Sequence, residues 1–341
     1  MTVRLLIAAR VDRITPLSPR VIRISLRPAH RAAFPAFEPG DHVQLQHATG
    51  VRRDYSLIGF PVHPDRYEIA VQREPNGRGG SLLFHDALSE GDEVFVSYPQ
   101  PGLRLDPDAD EHLFIAGGIG VTAIAGVAHA LTADMTTGAA PAAAVAHLAV
   151  RTPADAVLVD DLRSLGVRVE VHASSLGDRL DVAAVLDAAA HPATSTLPSP
   201  TARPATHPAR HLAAYVCGPA GLMTAVADAA SAAGLPPVRS EAFAATTTAP
   251  GERLGATFPV YLKGAARELV VGETESLLAA LHRVKVPLEY SCESGVCGSC
   301  VVESVSGEID HRDLCLSDTE RAGGFLAACV SRGRTRLEIM L

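Results

Sequence analysis

The sequence lacks the features that would assign it to several common functional classes. No uninterrupted apolar run approaches the ~18–20 residues that a helix needs to cross a bilayer, and the first ten residues have too short an apolar core for a secretory signal. Positive charge is not in excess, because 38 Asp and Glu outnumber 30 Lys and Arg and give a net charge of −8. Neither H-E-x-x-H nor G-x-S-x-G occurs. These absences argue against a membrane protein, a nucleic-acid-binding protein and common hydrolases, and we expect a cytoplasmic protein.

The size and composition of the chain indicate an ordinary globular protein with more than one domain. Its 341 residues exceed what one hydrophobic core usually holds, and 47% hydrophobic with 20% charged residues is typical of folded chains. We find no internal repeat. The sequence therefore predicts two or three domains.

The apolar pattern changes twice along the chain. Short alternating runs separated by turn residues predict strands up to about residue 105, at 21–26, 42–45, 67–71 and 93–96. Strands at 112–116, 144–150, 167–171 and 211–217 then alternate with helices at 123–133, 155–165, 181–190 and 220–233, which indicates a parallel α/β sheet. After a linker-like stretch, the pattern predicts a hairpin over 258–271, a helix over 276–282 and a strand over 335–341. The segments 136–143 and 191–210 have no periodicity and are predicted to be loops.

Three of the six cysteines fall in one short stretch near the C-terminus. Cys292, Cys297 and Cys300 have the spacing C-x4-C-x2-C, and Cys329 follows further along. This is the plant-type spacing for a [2Fe–2S] cluster, in which four thiolates hold two irons. Zinc is the alternative, but it prefers paired C-x2–4-C units and only one such pair is present. We predict a [2Fe–2S] cluster held by these four cysteines.

Two short motifs in the β-rich part can bind a phosphorylated planar ligand. Arg53-Asp54-Tyr55-Ser56-Leu57 combines a guanidinium for a phosphate with an aromatic ring and a hydroxyl. Arg78-Gly79-Gly80-Ser81 opens a predicted helix at 82–88, where backbone N–H groups and a hydroxyl can hold an anion. Each motif alone is weak, but their joint presence in one β domain favours an anion-binding role.

Two motifs in the α/β part lie at the carboxyl ends of predicted strands, where such sheets bind ligands. Gly117-Gly118-Ile119-Gly120-Val121-Thr122 links a strand to a helix, and its glycines let the backbone approach a pyrophosphate. Cys217-Gly218-Pro219 ends a later strand. A buried core cysteine is the commoner explanation for Cys217 by itself.

Taken in order, the motifs resemble the phthalate dioxygenase reductase family, which includes the reductase components of vanillate O-demethylase and related oxygenases. They are R-x-Y-S, R-G-G-S, G-G-I-G-V-T, C-G-P, S-E-A-F and the C-terminal cysteine pattern. The resemblance covers essentially the whole chain and implies three domains. They are an antiparallel β-barrel FMN-binding domain over 1–105, an α/β parallel-sheet NAD(P)H-binding domain over 106–243 and, after a linker over 244–256, an α+β plant-type ferredoxin domain over 257–341.

The resemblance also implies roles for individual residues. The implied FMN contacts are Arg53, Tyr55, Ser56, Leu57, Ala70, Val71, Gly79, Gly80 and Ser81. The implied contacts to the nicotinamide dinucleotide are Gly117, Gly118, Gly120, Thr122, Arg151, Thr152, Cys217, Gly218 and Pro219. Phe243 is implied to cover the flavin, and it joins Ser56 and Cys217 as an implied catalytic residue. Ala123 replaces the proline that usually follows the family's glycine loop, and Cys315 is an additional cysteine that we interpret as a core residue.

The activity implied by the resemblance is an electron relay. Electrons would pass from NADH, with NADPH as the alternative, through FMN and the [2Fe–2S] cluster to a terminal oxygenase of the Rieske type or a cytochrome P450, whose substrate is aromatic. We expect the chain to act as a monomer. Two other functions stay open at this stage, namely an FAD-containing reductase with a different acceptor and a cluster-based redox sensor.

Overall fold

The computed structural model describes most of the chain in two compact units, residues 1–241 and 242–341. The described residues are 6–59, 65–75, 79–133, 143–191, 211–243, 254–288, 290, 295, 298–313 and 315–341. Within these ranges, no helix is both long and apolar enough to cross a membrane. Residues 136–142 and 192–210 of the two predicted loops and residues 244–253 of the predicted linker lie outside the described residues.

The first unit begins with a six-stranded antiparallel sheet in the order β4-β3-β6-β1-β2-β5. Its strands are β1 (Leu6–Ser18), β2 (Val21–Pro28), β3 (His42–Gln46), β4 (Arg52–Ser56), β5 (Tyr67–Gln72) and β6 (Glu93–Ser97). A short helix, α1 (Gly80–Asp86), lies between β5 and β6 in the chain. Just past β4, the Ile58 N–H donates to the Glu68 carbonyl of β5 over 2.9 Å. This bond joins the two ends of the strand order, so the sheet closes on itself as a barrel.

The alternation of apolar residues explains the barrel core. Ile22, Ile24 and Leu26 of β2 are buried and share one core cluster with β3, β5 and β6. Side chains two residues apart on a strand lie on the same face, so each strand contributes one apolar face to this core.

The second sheet of the first unit is parallel and has the order β11-β10-β7-β8-β9. Its strands are β7 (Glu111–Gly117), β8 (Ala143–Val150), β9 (Arg168–Ala173), β10 (Leu212–Cys217) and β11 (Arg239–Glu241). Its helices are α2 (Val121–Ala128), α3 (Ala130–Ala133), α4 (Val159–Ser164), α5 (Val182–Ala190) and α6 (Ala220–Ala232). Strands joined by helices in this way place every carboxyl end at one edge of the sheet.

Several contacts join the barrel to the α/β sheet. Arg23 of β2 and Asp161 of α4 form a salt bridge of 2.5 Å, and the His129 ring bonds the Ile58 carbonyl through Nε2 over 3.0 Å. A Cβ on Gly126 of α2 would lie 2.5 Å from the Leu57 carbonyl oxygen, so glycine is needed there for close approach. The helix that follows the glycine loop is thus held against the strand that carries the R-x-Y-S motif.

The second unit contains a five-stranded mixed sheet in the order β13-β12-β18-β14-β16, with a separate pair formed by β15 and β17. The strands are β12 (Phe258–Leu262), β13 (Arg267–Val271), β14 (Val301–Ser306), β15 (Ile309–Asp310), β16 (Phe325–Ala327), β17 (Arg332–Gly333) and β18 (Leu337–Ile339). Two helices, α7 (Leu277–Arg283) and α8 (Asp318–Ala322), begin at serine caps. Together the three sheets confirm the predicted fold class.

Three predicted helices differ by two or more residues from those in the structure. The helix predicted at 82–88 forms two residues earlier, as α1. The helix predicted at 123–133 begins earlier, after a single 3₁₀ turn at Gly118–Gly120, and is interrupted at His129. The helix predicted at 155–165 begins later, because Thr152 and Asp155 form a capping box on a separate 3₁₀ turn. Local hydrogen bonds of polar side chains therefore set boundaries that apolar periodicity does not show.

Candidate functional site

An anion-binding corner forms where β4 meets the start of α1. The Arg53 guanidinium lies directly over Gly80, since a Cβ there would be 2.5 Å from Arg53 Nε and 2.7 Å from its Cζ. The next residue, Ser81, accepts a hydrogen bond from the Glu74 N–H over 3.2 Å, which fixes its hydroxyl beside the same turn. The Arg53 guanidinium, the Ser81 hydroxyl and the backbone N–H groups of the glycines therefore lie close together. This set of hydrogen-bond donors suits a phosphate monoester.

Tyr55 braces this corner from the barrel side. Its ring meets the ring of Phe84 of α1 edge to face, with centroids 6.0 Å apart and planes at 83°. Burial raises the pKa of Tyr55 above its ordinary value, and the phenol stays neutral. The ring is half-buried and packs against the barrel core, so it can serve as a flat apolar surface for a planar ring system.

The β5 strand lies next to the end of β4 and can offer backbone groups there. It pairs with β2 along one side, and on its other side the Glu68 carbonyl bonds the Ile58 N–H just past β4. Ala70 and Val71 lie on β5 with buried side chains, and Leu57 follows β4 with none of its surface exposed. Alternate backbone groups of an edge strand point away from its partner, so β5 can offer N–H and C=O groups to a ligand.

Ser56 contacts a residue that our sequence reasoning did not single out as a site residue. Its hydroxyl donates to Glu241 Oε1 over 3.3 Å, and the Leu103 N–H donates to Glu241 Oε2 over 2.9 Å. Burial raises the pKa of Glu241, although the Leu103 bond and nearby cationic groups oppose the rise. The signal in the sequence was the S-E-A-F motif, which we used for its phenylalanine alone.

The glycine loop after β7 packs against the Cys217-Gly218-Pro219 turn after β10. A Cβ on Gly120 would lie 2.2 Å from the Cys217 carbonyl oxygen, and one on Gly117 would lie 2.6 Å from Pro219 Cδ. Between them, Gly118 adopts φ of 53°, in the left-handed region. The two motifs thus form one surface at the carboxyl edge of the sheet, and larger residues at these glycines would push them apart.

Two of the residues predicted to contact the dinucleotide have structural partners of their own. Thr122 is buried and its hydroxyl donates to the Ile119 carbonyl over 2.9 Å, so it holds the loop in shape. The Thr152 hydroxyl donates to Asp155 over 2.8 Å in the capping box. Arg151, by contrast, is exposed beyond the end of β8.

Cys217 is fully buried beneath this surface. Burial raises the pKa of its thiol well above the usual value, and the neighbouring Glu241 carboxylate raises it further. The register pairs Cys217 with Glu241 on adjacent strands. The thiol therefore stays protonated at neutral pH and can act by packing and weak hydrogen bonding, not as a nucleophile.

The second unit brings two of the predicted cluster ligands together. The Ala328 N–H donates to the Cys300 carbonyl over 3.0 Å, which places Cys329 one residue from that bond. Both cysteines belong to the core of this unit, and Cys315 packs against the same core, as we predicted. Cys292 and Cys297 lie outside the described residues.

Two glycines shape the loop that carries the cysteines. Gly295 and Gly298 have φ of 72° and 70°, which side chains rarely adopt. A Cβ on Gly295 would also lie 2.6 Å from a methyl group of Val330, beside Cys329. The donor set of cysteines on such a glycine-bearing loop fits a [2Fe–2S] cluster.

The aromatic residue predicted to cover the flavin follows β11 in the chain. Phe243 is half-buried and belongs to the second unit, whereas the flavin motifs belong to the first. Its role stays a prediction.

Comparison with known proteins places the chain among characterised reductases. Residues 260–333 match the 2Fe-2S iron-sulfur cluster binding domain family. The chain is 36% identical over 334 residues to the heme-dependent oxidative N-demethylase beta subunit of Ectopseudomonas mendocina, covering 96% of each chain. It is 34% identical over 309 residues to phthalate dioxygenase reductase of Burkholderia cepacia, covering 89% of this chain and 87% of that protein.

Solved structures agree with these relatives. The structure of phthalate dioxygenase reductase, described as modular and transferring electrons from pyridine nucleotides to [2Fe–2S], matches with a TM-score of 0.72 and 31% identity over 98% of both chains. An intact type IV self-sufficient cytochrome P450 monooxygenase matches with a TM-score of 0.72 and 29% identity, covering 98% of this chain and 41% of that one. The protein is therefore a flavin- and [2Fe–2S]-containing NAD(P)H oxidoreductase that belongs to the phthalate dioxygenase reductase family.

Proposed function

We propose that this oxidoreductase is the reductase component of an oxygenase system. It takes electrons from NAD(P)H and delivers them singly to a partner oxygenase of the Rieske type or a cytochrome P450 that acts on an aromatic substrate. The relatives support this role, because one is a dioxygenase reductase and a structural neighbour joins a matching segment to a P450 in one chain. The aromatic substrate would belong to the partner.

The flavin in this proposal is FMN. Arg53, Gly80 and Ser81 form a compact corner for a terminal monophosphate, whereas FAD would need a further surface for its adenosine. When bound, the flavin supplies the conversion of a two-electron hydride into single electrons. Around it, Tyr55 would stack, and the edge of β5 at Ala70 and Val71 would hydrogen-bond the ring.

Three residues are proposed to touch the reacting groups. Ser56 would face the flavin ring, oriented by its bond to Glu241, and Cys217 would lie under the nicotinamide. Phe243 would cover the ring, as the family resemblance implies. The three residues would also exclude water from the contact between the flavin and the nicotinamide, because hydride transfer needs the two rings close together without water between them.

The electron exit is proposed to be the cysteine loop. Cys292, Cys297, Cys300 and Cys329 would hold the cluster, and the domains would follow the division at residues 1–105, 106–243 and 257–341. Among the described residues near this loop, Tyr290 is 37% exposed and offers an aromatic contact for a partner.

The main support for the proposal is that the flavin motif and the dinucleotide motif lie next to each other in the first unit. The Leu57 carbonyl lies against Gly126 of the helix that follows the glycine loop, and Ser56 bonds Glu241 beside Cys217. The flavin motif and the dinucleotide motif therefore meet, as hydride transfer between two ligands requires.

Purification of the holoprotein tests the proposal directly. We expect the flavin released on denaturation to be FMN, and we expect NAD(P)H to support reduction of cytochrome c or ferricyanide. Addition of a purified Rieske oxygenase or P450 encoded beside this chain should then couple NAD(P)H oxidation to product formation. A protein that releases FAD would contradict the cofactor, and one that contains no flavin would contradict the proposed relay.

A further inference from the structure

The outer face of the barrel carries a polar cleft that shares no residue with the phosphate corner or the glycine loop. The cleft has a volume of about 520 Å³, and most of its residues come from β1, β2 and β5. Four arginines and three carboxylates line it, together with two hydroxyls and one leucine. The lining is therefore charged and hydroxylic, and a ligand held there would be small and polar.

Ser25 lies on the middle strand of this cleft. Only 6% of the residue is exposed, and its Oγ is buried without a hydrogen-bond partner in the described part of the chain. Its neighbours Ile24 and Leu26 face the barrel core, so the Ser25 side chain points outward into the cleft. Buried polar atoms are nearly always hydrogen-bonded, so this hydroxyl calls for a ligand or a water molecule.

The neighbours of Ser25 across the sheet carry opposite charges. In the antiparallel register, its partners are Arg13 of β1 and Glu68 of β5. Side chains directly opposite each other on a sheet lie ~4.5–5.5 Å apart at Cβ, so both charged groups can reach a ligand that the Ser25 hydroxyl holds. Among the described residues, Arg13 forms no ion pair and the Glu68 carboxylate accepts no hydrogen bond.

Two more arginines share the outward face of β2 with Ser25. Arg23 donates through Nη2 to Asp161 of α4 over 2.5 Å, while its Nε is buried and has no partner within the described ranges. Arg27 is already neutralised by Asp12, with Nε 3.0 Å from the carboxylate. On this strand, the Arg23 Nε and the Ser25 hydroxyl are therefore the groups that can bind a ligand.

The remaining charged groups of the cleft have partners of their own. Arg66 lies 3.7 Å from Asp65, and Glu90 accepts the Ile14 N–H over 2.9 Å. The groups left for a ligand are one carboxylate, Glu68, and three hydrogen-bond donors, on Arg13, Arg23 and Ser25.

Three donors beside one carboxylate select among small anions. Arginine N–H groups and a hydroxyl suit the oxygens of phosphate or sulfate. An ionised carboxylate can only accept hydrogen bonds, so Glu68 needs an O–H on the ligand. Inorganic phosphate keeps at least one proton at neutral pH and can donate it. Sulfate has no proton to donate, and a phosphate monoester has lost most of its last proton at pH 7.5.

We propose that this cleft binds inorganic phosphate, with Arg13, Arg23 and the Ser25 hydroxyl donating to its oxygens and Glu68 accepting its O–H. The site is separate from the electron relay, and the inference does not depend on the proposed function. Because Arg23 also bonds Asp161 of α4, bound phosphate would lie beside a contact between the barrel and the α/β sheet.

Calorimetric titration of the holoprotein tests this selectivity. In a chloride buffer of constant ionic strength at pH 7.5, we expect sodium phosphate to bind roughly tenfold or more tightly than sodium sulfate or glycerol 3-phosphate. The difference reflects the hydrogen bond to the Glu68 carboxylate, which sulfate and the monoester cannot donate. Glu68→Gln should narrow the difference, since an amide can donate to each of the three ions.

Two further variants locate the bound ion. Ser25→Ala and Arg13→Gln should each weaken phosphate binding roughly tenfold. Ser25→Ala removes a buried hydroxyl without a partner in the described residues, so its stability to urea in chloride buffer should not fall, and a loss of binding is then not a loss of folding. Arg10→Gln is the matched control, because Arg10 is an exposed arginine of the same strand that bonds the Gly91 carbonyl outside the cleft.

Three results would each overturn the inference. Phosphate binding of parental strength in both Ser25→Ala and Arg13→Gln would mean that the ion binds elsewhere. The absence of saturable phosphate binding would mean that water alone meets the Ser25 hydroxyl. Sulfate or glycerol 3-phosphate binding to the parent protein as tightly as phosphate would exclude inorganic phosphate as the selected ligand.

Discussion

The Ser56 hydroxyl lies 3.3 Å from the Glu241 carboxylate, although 185 residues separate them in the chain. The bond links the end of the flavin-motif strand to the last strand of the α/β sheet, and the carboxylate is also anchored by the Leu103 N–H. The position of Ser56 is therefore set by the second half of the first unit as well as by its own strand.

Removal of this hydroxyl should slow flavin reduction more than it weakens binding. We expect Ser56→Ala to lower the rate of flavin bleaching by NAD(P)H roughly 10–100-fold in anaerobic stopped-flow measurements, because small errors in the placement of reacting groups are costly. Ser97→Ala is the control, since Ser97 is equally buried in the barrel and, among the described residues, its hydroxyl bonds Gln44 and Tyr98. An unchanged rate for Ser56→Ala would show that the hydroxyl has no part in the transfer.

The contact between the glycine loop and the Cys217 turn gives a second prediction. Gly120→Ala would place a Cβ 2.2 Å from the Cys217 carbonyl oxygen, so we expect a loss of ~1–3 kcal/mol in stability and at least tenfold weaker coenzyme binding. Gly221→Ala is the matched control on α6, where nothing lies within 4 Å and alanine favours the helix. Equal coenzyme affinity in the two variants, measured by titration, would rule out the contact as a determinant of the site.

The phosphate corner can be tested by filling the space over Gly80. A methyl group there would displace the Arg53 guanidinium, which lies 2.5 Å away at Nε. We expect Gly80→Ala and Arg53→Lys each to weaken FMN binding roughly tenfold or more, measured by fluorescence during reconstitution of the deflavinated protein. Arg27→Lys serves as control, because Arg27 pairs with Asp12 on the barrel surface. Retention of FMN with parental affinity in both corner variants would contradict the assignment.

Burial of His112 predicts acid sensitivity of the first unit. Desolvation lowers the pKa of His112 to about 4. The Tyr215 hydroxyl oxygen accepts a hydrogen bond from the Asp106 N–H, so the hydroxyl hydrogen can be donated to Nδ1 of neutral His112. Because the folded pKa is below the unfolded value of 6.5, the unfolded state binds more protons, and stability falls as pH drops below 6.5. Between pH 7.5 and 5 we expect His112 to account for about 2 kcal/mol of that loss.

Urea unfolding followed by circular dichroism measures this loss. His112→Gln carries no titrating group at that position, so its stability should fall less between pH 7.5 and 5 than that of the parent protein. Parallel curves for the two proteins would mean that His112 is not buried in its neutral form.

Substitution of single cysteines should distinguish the proposed cluster ligands from Cys315, which we interpret as a core residue. Cys300→Ser and Cys329→Ser should each lose most of the iron, the acid-labile sulfide and the visible absorbance of the cluster, since four thiolates are needed. Cys315→Ser should keep all three, because the four cysteines of the C-x4-C-x2-C…C pattern already supply the thiolates and Cys315 packs against the core of the second unit. Loss of the cluster in Cys315→Ser alone would reverse the assignment.

Much of this fold could be predicted from local patterns. The four strands expected in the barrel appear as β2, β3, β5 and β6, and the alternating strands and helices of the second sheet appear near their predicted positions. β1 was not predicted, because its sequence carries polar residues over much of its length and its pairing with β2 has two register shifts.

The site was less predictable, because its decisive contacts join distant parts of the chain. No local pattern shows that Glu241 anchors Ser56, or that Gly126 allows a helix to reach the Leu57 carbonyl. Glycine motifs indicate where a backbone must come close, but the partner that it approaches is known only from the fold. Likewise Thr122 and Thr152 matched a binding motif, while the structure shows their hydroxyls bonded within their own turns.

The central claim is that electrons pass from NAD(P)H through the flavin to the [2Fe–2S] cluster within this chain. Anaerobic mixing of the purified protein with NADPH or NADH, followed by diode-array absorbance, tests it most directly. We expect fast loss of flavin absorbance with partial bleaching of the cluster bands, and a rhombic electron paramagnetic resonance signal typical of a reduced [2Fe–2S] cluster in samples frozen after mixing. If the flavin of the parent protein is reduced while its cluster stays oxidised, the claim that electrons pass from the flavin to the cluster is contradicted.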